Sequence, residues 1–143
     1  VAGIDGYVLE DQIGFRLRIA MQRHLELFAA ALPDLTPTQF STLVKLAEGG
    51  VLSQNHLGRL VAMDAATTKG VIDRLRRKGL VESRPSDSDR RRLEVSLTPP
   101  GAELVRAMVP CARGVSAQTV AGLNAGEVAQ LLELLDRIGG GAP

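Results

Sequence analysis

Ten lysines and arginines fall between Arg59 and Arg92 (Arg59, Lys69, Arg74, Arg76, Arg77, Lys78, Arg84, Arg90, Arg91, Arg92), against five acids (Asp64, Asp73, Glu82, Asp87, Asp89). The stretch therefore carries a net charge of +5, whereas the rest of the 143-residue chain, with seven basic and eleven acidic residues, carries −4. A cationic middle in an acidic frame suits a segment that binds a polyanion. Taken alone, the same run also suits a solvated face. Catalytic chemistry is poorly provided for. An enzyme needs a nucleophile, a base and an electrostatic stabiliser that converge, and the only imidazoles and thiol are His24, His56 and Cys111, in three separate segments. Their spacings fit no zinc motif, and the chain has no phosphate-cradling glycine loop. No catalytic residue, metal or cofactor is therefore expected. His24 reads as a helix-surface residue, and His56 as either a backbone-phosphate contact or an inert one. Cys111, beside Pro110 on a helix expected at a dimer interface, reads as a buried unreactive thiol, with a redox switch as the alternative.

One cysteine cannot close an internal bridge, no run of about 18 apolar residues is present, and the N-terminus lacks a secretory pattern. A soluble, cytoplasmic protein forming one domain over residues 1–143 is expected.

The elements that must carry the basic residues follow from periodicity and caps. Ile13, Leu17, Met21, Leu25 and Phe28 recur at spacings of three and four and predict a long helix over Tyr7 to Leu32, ended by Pro33 and Asp34. Thr36-Pro37-Thr38-Gln39 spells a capping box with proline in the first turn, and starts a second helix that Gly49-Gly50 stops. Ser53 caps a short helix to about Val61. Asp64 caps another to Lys78, with Val71, Ile72 and Leu75 inward and Gly79 beyond its end. Two short capped helices joined by about three residues predict a helix-turn-helix. From Leu80 the period changes to two. Leu80–Arg84 and Leu93–Leu97 alternate as strands around a polar loop, Pro85 to Arg92, giving a hairpin wing. Thr98 caps a helix in which Pro110 predicts a kink. Asn124 caps a last, leucine-rich helix closed by Gly139-Gly140-Gly141. The fold class is mainly α: a winged helix-turn-helix with a two-stranded hairpin, flanked by N- and C-terminal helices.

From Leu35 to Gly101 the chain resembles the MarR family of bacterial winged-helix transcription regulators. The resemblance rests on Leu35-Thr36-Pro37-Thr38-Gln39-Phe40, on Asp64-Ala65-Ala66-Thr67-Thr68, and on Asp73-Arg74-Leu75 with Lys78-Gly79-Leu80-Val81. It continues through Arg84, Asp87, Asp89-Arg90-Arg91 and Leu97-Thr98 with Gly101. Each phrase is weak by itself, but their joint order and intervals are specific. Leu9-Glu10-Asp11-Gln12-Ile13-Gly14-Phe15 is also similar to regulators of aromatic-acid catabolism. The resemblance implies a homodimer whose first and last helices (residues 1–34 and 101–143) interleave while two winged regions (35–100) bind a pseudopalindromic operator. It also implies a repressor released by a small anionic or aromatic ligand, an aromatic carboxylate or a CoA thioester.

Major-groove reading requires short side chains at the start of an exposed helix, flanked by groups that fix it on phosphates. Ala65, Ala66, Thr67, Lys69 and Gly70 meet the first requirement. Thr67 can bond a base edge or a phosphate, Ala66 can touch a thymine methyl, and Lys69 can reach a guanine or a phosphate. Where the family often has arginine after its Ser/Thr pair, this chain has Gly70, with Lys69 one position earlier. Arg74 and Arg77 lie on the outer, later part of the helix and suit phosphate anchoring. In the wing, Asp89, Arg90 and Arg91 form the candidate tip. By resemblance Arg91 enters the minor groove while Asp89 orients it; otherwise the hairpin is simply a solvated charged loop.

The first and last helices carry more apolar surface than one winged region can cover, which predicts a dimer, with an intramolecular bundle as the alternative. Arg16, Arg23 and His24 are the candidate ligand-binding residues on the first helix, with Arg18 beside them, although surface helices commonly carry such residues. A winged helix used only for protein–protein contact is the competing functional class.

Overall fold

The computed structural model describes residues 4–141, so the outermost ends of the expected flanking segments lie outside the described residues. Two short 3-10 turns, Ile4–Gly6 and Leu9–Asp11, precede six helices and three strands. In chain order these are α1 (Ile13–Ala31), α2 (Pro37–Gly49), β1 (Leu52–Ser53), α3 (Gln54–Leu60), α4 (Ala65–Arg77), β2 (Val81–Pro85), β3 (Leu93–Leu97), α5 (Pro99–Thr119) and α6 (Ala125–Ile138).

The expected caps form as written. Thr36 Oγ1 accepts the Gln39 N–H at 3.2 Å while Gln39 Oε1 accepts the Thr36 N–H. Ser53, Asp64, Thr98 and Asn124 each accept from the residue three positions on. Every such bond satisfies a helix donor that has no partner within the helix. Gly79, at φ 74°, takes the left-handed conformation that ends α4.

Two elements differ from expectation, α1 and the hairpin. α1 begins at Ile13 rather than Tyr7, because residues 9–11 close a 3-10 turn and Gln12 is extended. α5 runs unbroken through Pro110 to Thr119. Proline removes one hydrogen bond to the carbonyl four residues back, here that of Arg106; both residues are exposed, so water can serve that carbonyl. The hairpin gains a third strand: the order is β1-β3-β2, all antiparallel, with Leu52 opposite Val95 and Val81 opposite Leu97. Two residues are too few to announce a strand by alternation, and β1 exists because β3 offers it an edge.

One core joins the winged region to α5. Leu43, Leu46, Leu57, Val71, Ile72, Leu75, Val81, Val95 and Val105 pack together, and Phe28, Leu32 and Val115 form a smaller cluster between α1 and α5. A different surface remains uncovered. Ile13, Leu17, Met21 and Leu25 make an exposed stripe at four-residue spacing on α1, and α6 buries no residue, leaving Leu132 and Ile138 64% and 65% exposed.

Gly101 fixes the junction between wing and α5, since a Cβ there would collide with the Leu80 carbonyl oxygen, which also accepts the Thr98 N–H. Gly114 in the same helix has open space where a Cβ would go. Gly101→Ala should therefore destabilise the fold by about 1–3 kcal/mol through overpacking. Gly114→Ala should stabilise it by about 0.5–1 kcal/mol through helix propensity. Urea unfolding of the two variants checks the opposite signs.

Candidate nucleic-acid interface

α3 and α4 meet at a contact that admits no side chain. A Cβ on Gly58 would lie 2.6 Å from Thr68 Oγ1, and that hydroxyl, buried, donates to the Asp64 carbonyl at 2.7 Å. Asp64 Oδ1 in turn accepts the Thr67 N–H at 2.7 Å. The Thr67 backbone bond, reinforced by the Thr67 hydroxyl, holds the Asp64 carboxyl below the ordinary carboxylate range. Of the two adjacent threonines, Thr68 is thus committed to the fold, whereas Thr67 remains exposed with Ala65, Ala66 and Lys69.

Lys69 is already partnered. Its Nζ lies 3.1 Å from Asp73 Oδ2, and Arg76 bonds the other oxygen of the same carboxylate at 2.9 Å. The hydrogen bond from Lys69, then its charge and those of Arg76 and Arg77, lower the Asp73 pKa. Arg74 and Arg77 are exposed, and the Arg74 guanidinium comes within 3.7 Å of where a Gly70 Cβ would stand. Gly70 therefore leaves room that the folded-back arginine side chain overhangs.

In the wing, Asp89 Oδ1 accepts the Arg91 backbone N–H at 3.0 Å and lies 3.6 Å from Arg91 Nε. The carboxylate fixes the turn first and the guanidinium second. The Arg91 side chain is 95% exposed, and Arg90 beside it is exposed as well.

Sequence reasoning passed over Gln54 and Asn55. Both line a small cleft with Arg91 and Arg92 on one side and another with Ala65 on the other. The first turn of α3 thus bridges the wing tip and the start of α4. The available signal was two amides opening the first helix of a helix-turn-helix, where such side chains commonly bond phosphate oxygens.

The candidate ligand residues do not share one place. Arg16 donates to the Glu10 carbonyl at 2.6 Å, two helical turns from the others. Arg23 donates to the Gln118 carbonyl at 3.2 Å, and His24 Nδ1 lies 2.9 Å from Thr119 Oγ1. The Thr119 hydroxyl gives its proton to the Val115 carbonyl, so it can only accept from His24. This makes Nδ1–H the donor. His24 is half-buried beside Phe28, not the surface residue expected; Cys111 is exposed on the single chain, on the helix expected to be covered in a dimer.

Among the described residues no group of three or more His, Cys, Asp or Glu could hold a metal ion, and no helix is long and apolar enough to cross a membrane.

With this geometry in place, comparison with known proteins is informative. A sequence model of the MarR family matches residues 35–93. The chain is 42% identical over 134 residues to the HTH-type transcriptional repressor NicR of Pseudomonas putida, covering 92% of this chain and 85% of that one. A crystal structure of a probable transcriptional regulator from Pseudomonas aeruginosa is similar at 48% identity and a TM-score of 0.89, over 92% of this chain and 99% of the other. BpsR of Bordetella bronchiseptica is similar at 37% identity and the same TM-score, over 93% and 96% of the two chains; its structure describes regulation of DNA binding by 6-hydroxynicotinic acid.

The Asp64 cap makes a pH-dependent prediction. A carboxylate whose folded pKa is depressed stabilises above its unfolded pKa, near 3.9, and that contribution is lost as pH falls through the folded value. Asp64→Ala should lower the midpoint of thermal unfolding at neutral pH. The difference between wild type and Asp64→Ala should shrink below about pH 4, while the difference between Asp64→Asn and Asp64→Ala stays level.

Proposed function

This chain belongs to the MarR family of winged-helix transcriptional regulators, and we propose that it works as a homodimeric repressor whose hold on a pseudopalindromic operator is released by an aromatic carboxylate. The observation that carries the reading is the continuity of one exposed surface. It runs from the first turn of α4 across Gln54 and Asn55 to Arg91, a path with the order of major groove, sugar-phosphate backbone and minor groove. Ala65, Ala66, Thr67, Lys69 and Gly70 are assigned to the major groove, Arg74 and Arg77 to phosphates, and Arg90 and Arg91 to the wing contact with Asp89 as positioning residue. Lys69, held by Asp73 through one of its three N–H donors, keeps the others for the operator.

The exposed stripe of α1 and the unburied α6 support self-association, since apolar side chains gathered on one exposed face mark contact surfaces. Two copies then present their α4 helices roughly 34–36 Å apart, one turn of duplex. The 6-hydroxynicotinic acid response of BpsR supports a heteroaromatic or aromatic acid as effector. Arg23 and His24, adjacent on α1 where it meets the end of α5, offer a guanidinium and an imidazole to such an acid, whereas Arg16, two turns away and bonded to the Glu10 carbonyl, shares no site with them. Such a ligand releases DNA only if it binds more tightly to the conformation with misplaced reading heads. The regulators among its relatives support a non-enzymatic, cytoplasmic role and favour DNA over a protein partner.

Arg91→Ala should weaken binding to a duplex selected from a random pool by about 1–3 kcal/mol and leave the dimer intact in light scattering. Arg74→Ala should reduce the dependence of log K on log salt by about 0.9. Anisotropy titrations at several salt concentrations measure both. 6-Hydroxynicotinic acid, other aromatic carboxylates and their CoA thioesters, screened by thermal shift with and without the duplex, should include a compound that raises the melting temperature and dissociates the complex. A screen in which no compound does both removes the effector claim.

A further inference from the structure

We propose that the cleft between α3 and the root of the wing is a phosphate-binding site, separate from the base-reading residues of α4 and from Arg91. The cleft has a volume of about 420 Å³ and is lined by His56, Arg59, Ser86, Ser88, Arg92 and Glu94. Arg59 from α3 and Arg92 from the wing both contribute to its walls, and neither forms an ion pair among the described residues. His56 Nδ1 lies 3.5 Å from an Arg59 guanidinium nitrogen.

The serines supply oriented donors. Ser86 is buried at 5% exposure, and its Oγ accepts the Ser88 N–H at 3.3 Å and lies 3.0 Å from Ser88 Oγ. Whichever of the two hydroxyls donates to the other, one hydroxyl hydrogen remains to donate into the cleft that both line. Two guanidinium groups, a hydroxyl and an imidazole suit an oxyanion with several acceptor atoms. Glu94 sets the charge balance. Two arginines against one carboxylate leave a formal side-chain charge of +1 with His56 neutral, which matches the single charge of a phosphodiester.

Position points the same way. Arg92 also lines the neighbouring cleft shared by Gln54, Asn55 and Arg91, so the site adjoins the route of the backbone between the two grooves. The phosphate can come from the operator, in which case the assignment rests on the DNA-binding function above, or from a free phosphate-bearing molecule.

The test uses Arg59→Ala, Arg92→Ala and Glu94→Gln in the full chain, with thermal unfolding confirming that each is folded. Binding is measured by anisotropy on a duplex selected from a random pool and on an unrelated duplex. If the operator fills the site, each arginine variant weakens both duplexes by a similar factor, about three- to tenfold, and lowers the log K against log salt slope by about 0.9. Glu94→Gln strengthens both. In parallel, inorganic phosphate is titrated at constant ionic strength while the amide resonances of Ser86, Ser88 and Arg92 are followed by NMR. Saturable shifts that vanish in the Arg59→Ala/Arg92→Ala double variant, with unchanged DNA slopes, assign the site to a free phosphate. Unchanged slopes together with no saturable shift overturn the proposal. A wild-type protein that binds no duplex at low salt defeats the function proposed above, and the phosphate titration then decides this site alone.

Discussion

The reading surface depends on the approach of α3 to α4, where Gly58 faces the buried Thr68 hydroxyl across a gap too narrow for a methyl group. Thr68 bonds the Asp64 carbonyl and Asp64 caps Thr67, so three consecutive constraints set the angle at which α4 leaves the turn. Everything outward of that contact inherits its orientation. Ala66 and Thr67 stay exposed because Thr68 is turned inward, and Gln54 and Asn55 sit next to Ala65 because Gly58 lets α3 come close. A groove-reading helix displaced by an ångström loses its hydrogen-bond geometry, which is why the fit lies beneath the surface and not on it.

What the sequence disclosed, and what it withheld, divides by the range of the interaction responsible. Thr36, Ser53, Asp64, Thr98 and Asn124 were legible as caps because a cap bond closes within three residues. The inward faces of α4 and β3 were legible because periodicity reports burial. The two-residue β1 was not, since its only cause is pairing with a strand forty residues later. Around Pro110 the helix is held on either side by the buried Val105 and Val115, contacts that the local pattern does not announce. At the candidate interface, residue types revealed the charge, and only coordinates revealed that Asp73 engages Lys69 and Arg76 together or that the first turn of α3 lies between wing and α4.

Charge in this region is more finely sorted than a count of basic residues suggests. Asp73 engages two cations within its own helix, and the Asp89 carboxylate restrains the backbone of a third. Arg74, Arg77 and Arg90 are left exposed. Exposed pairs at this spacing are weak, a few tenths of a kcal/mol each, so they set which cations are immediately available without preventing exchange onto a phosphate. Each acid thereby tempers indiscriminate attraction to polyanions.

α5 touches both ends of the proposed mechanism. Near its start Gly101 abuts the Leu80 carbonyl that leads into the wing, and near its end Gln118 and Thr119 receive Arg23 and His24 from α1. Its 21 residues make a rod about 30 Å long. Pivoted at the far end, such a rod needs to tilt only about 5° to carry the wing root about 2.6 Å sideways. A tilt of α5 would thus act as a lever, turning a small rearrangement around an imidazole into a displacement comparable to a hydrogen bond's full length.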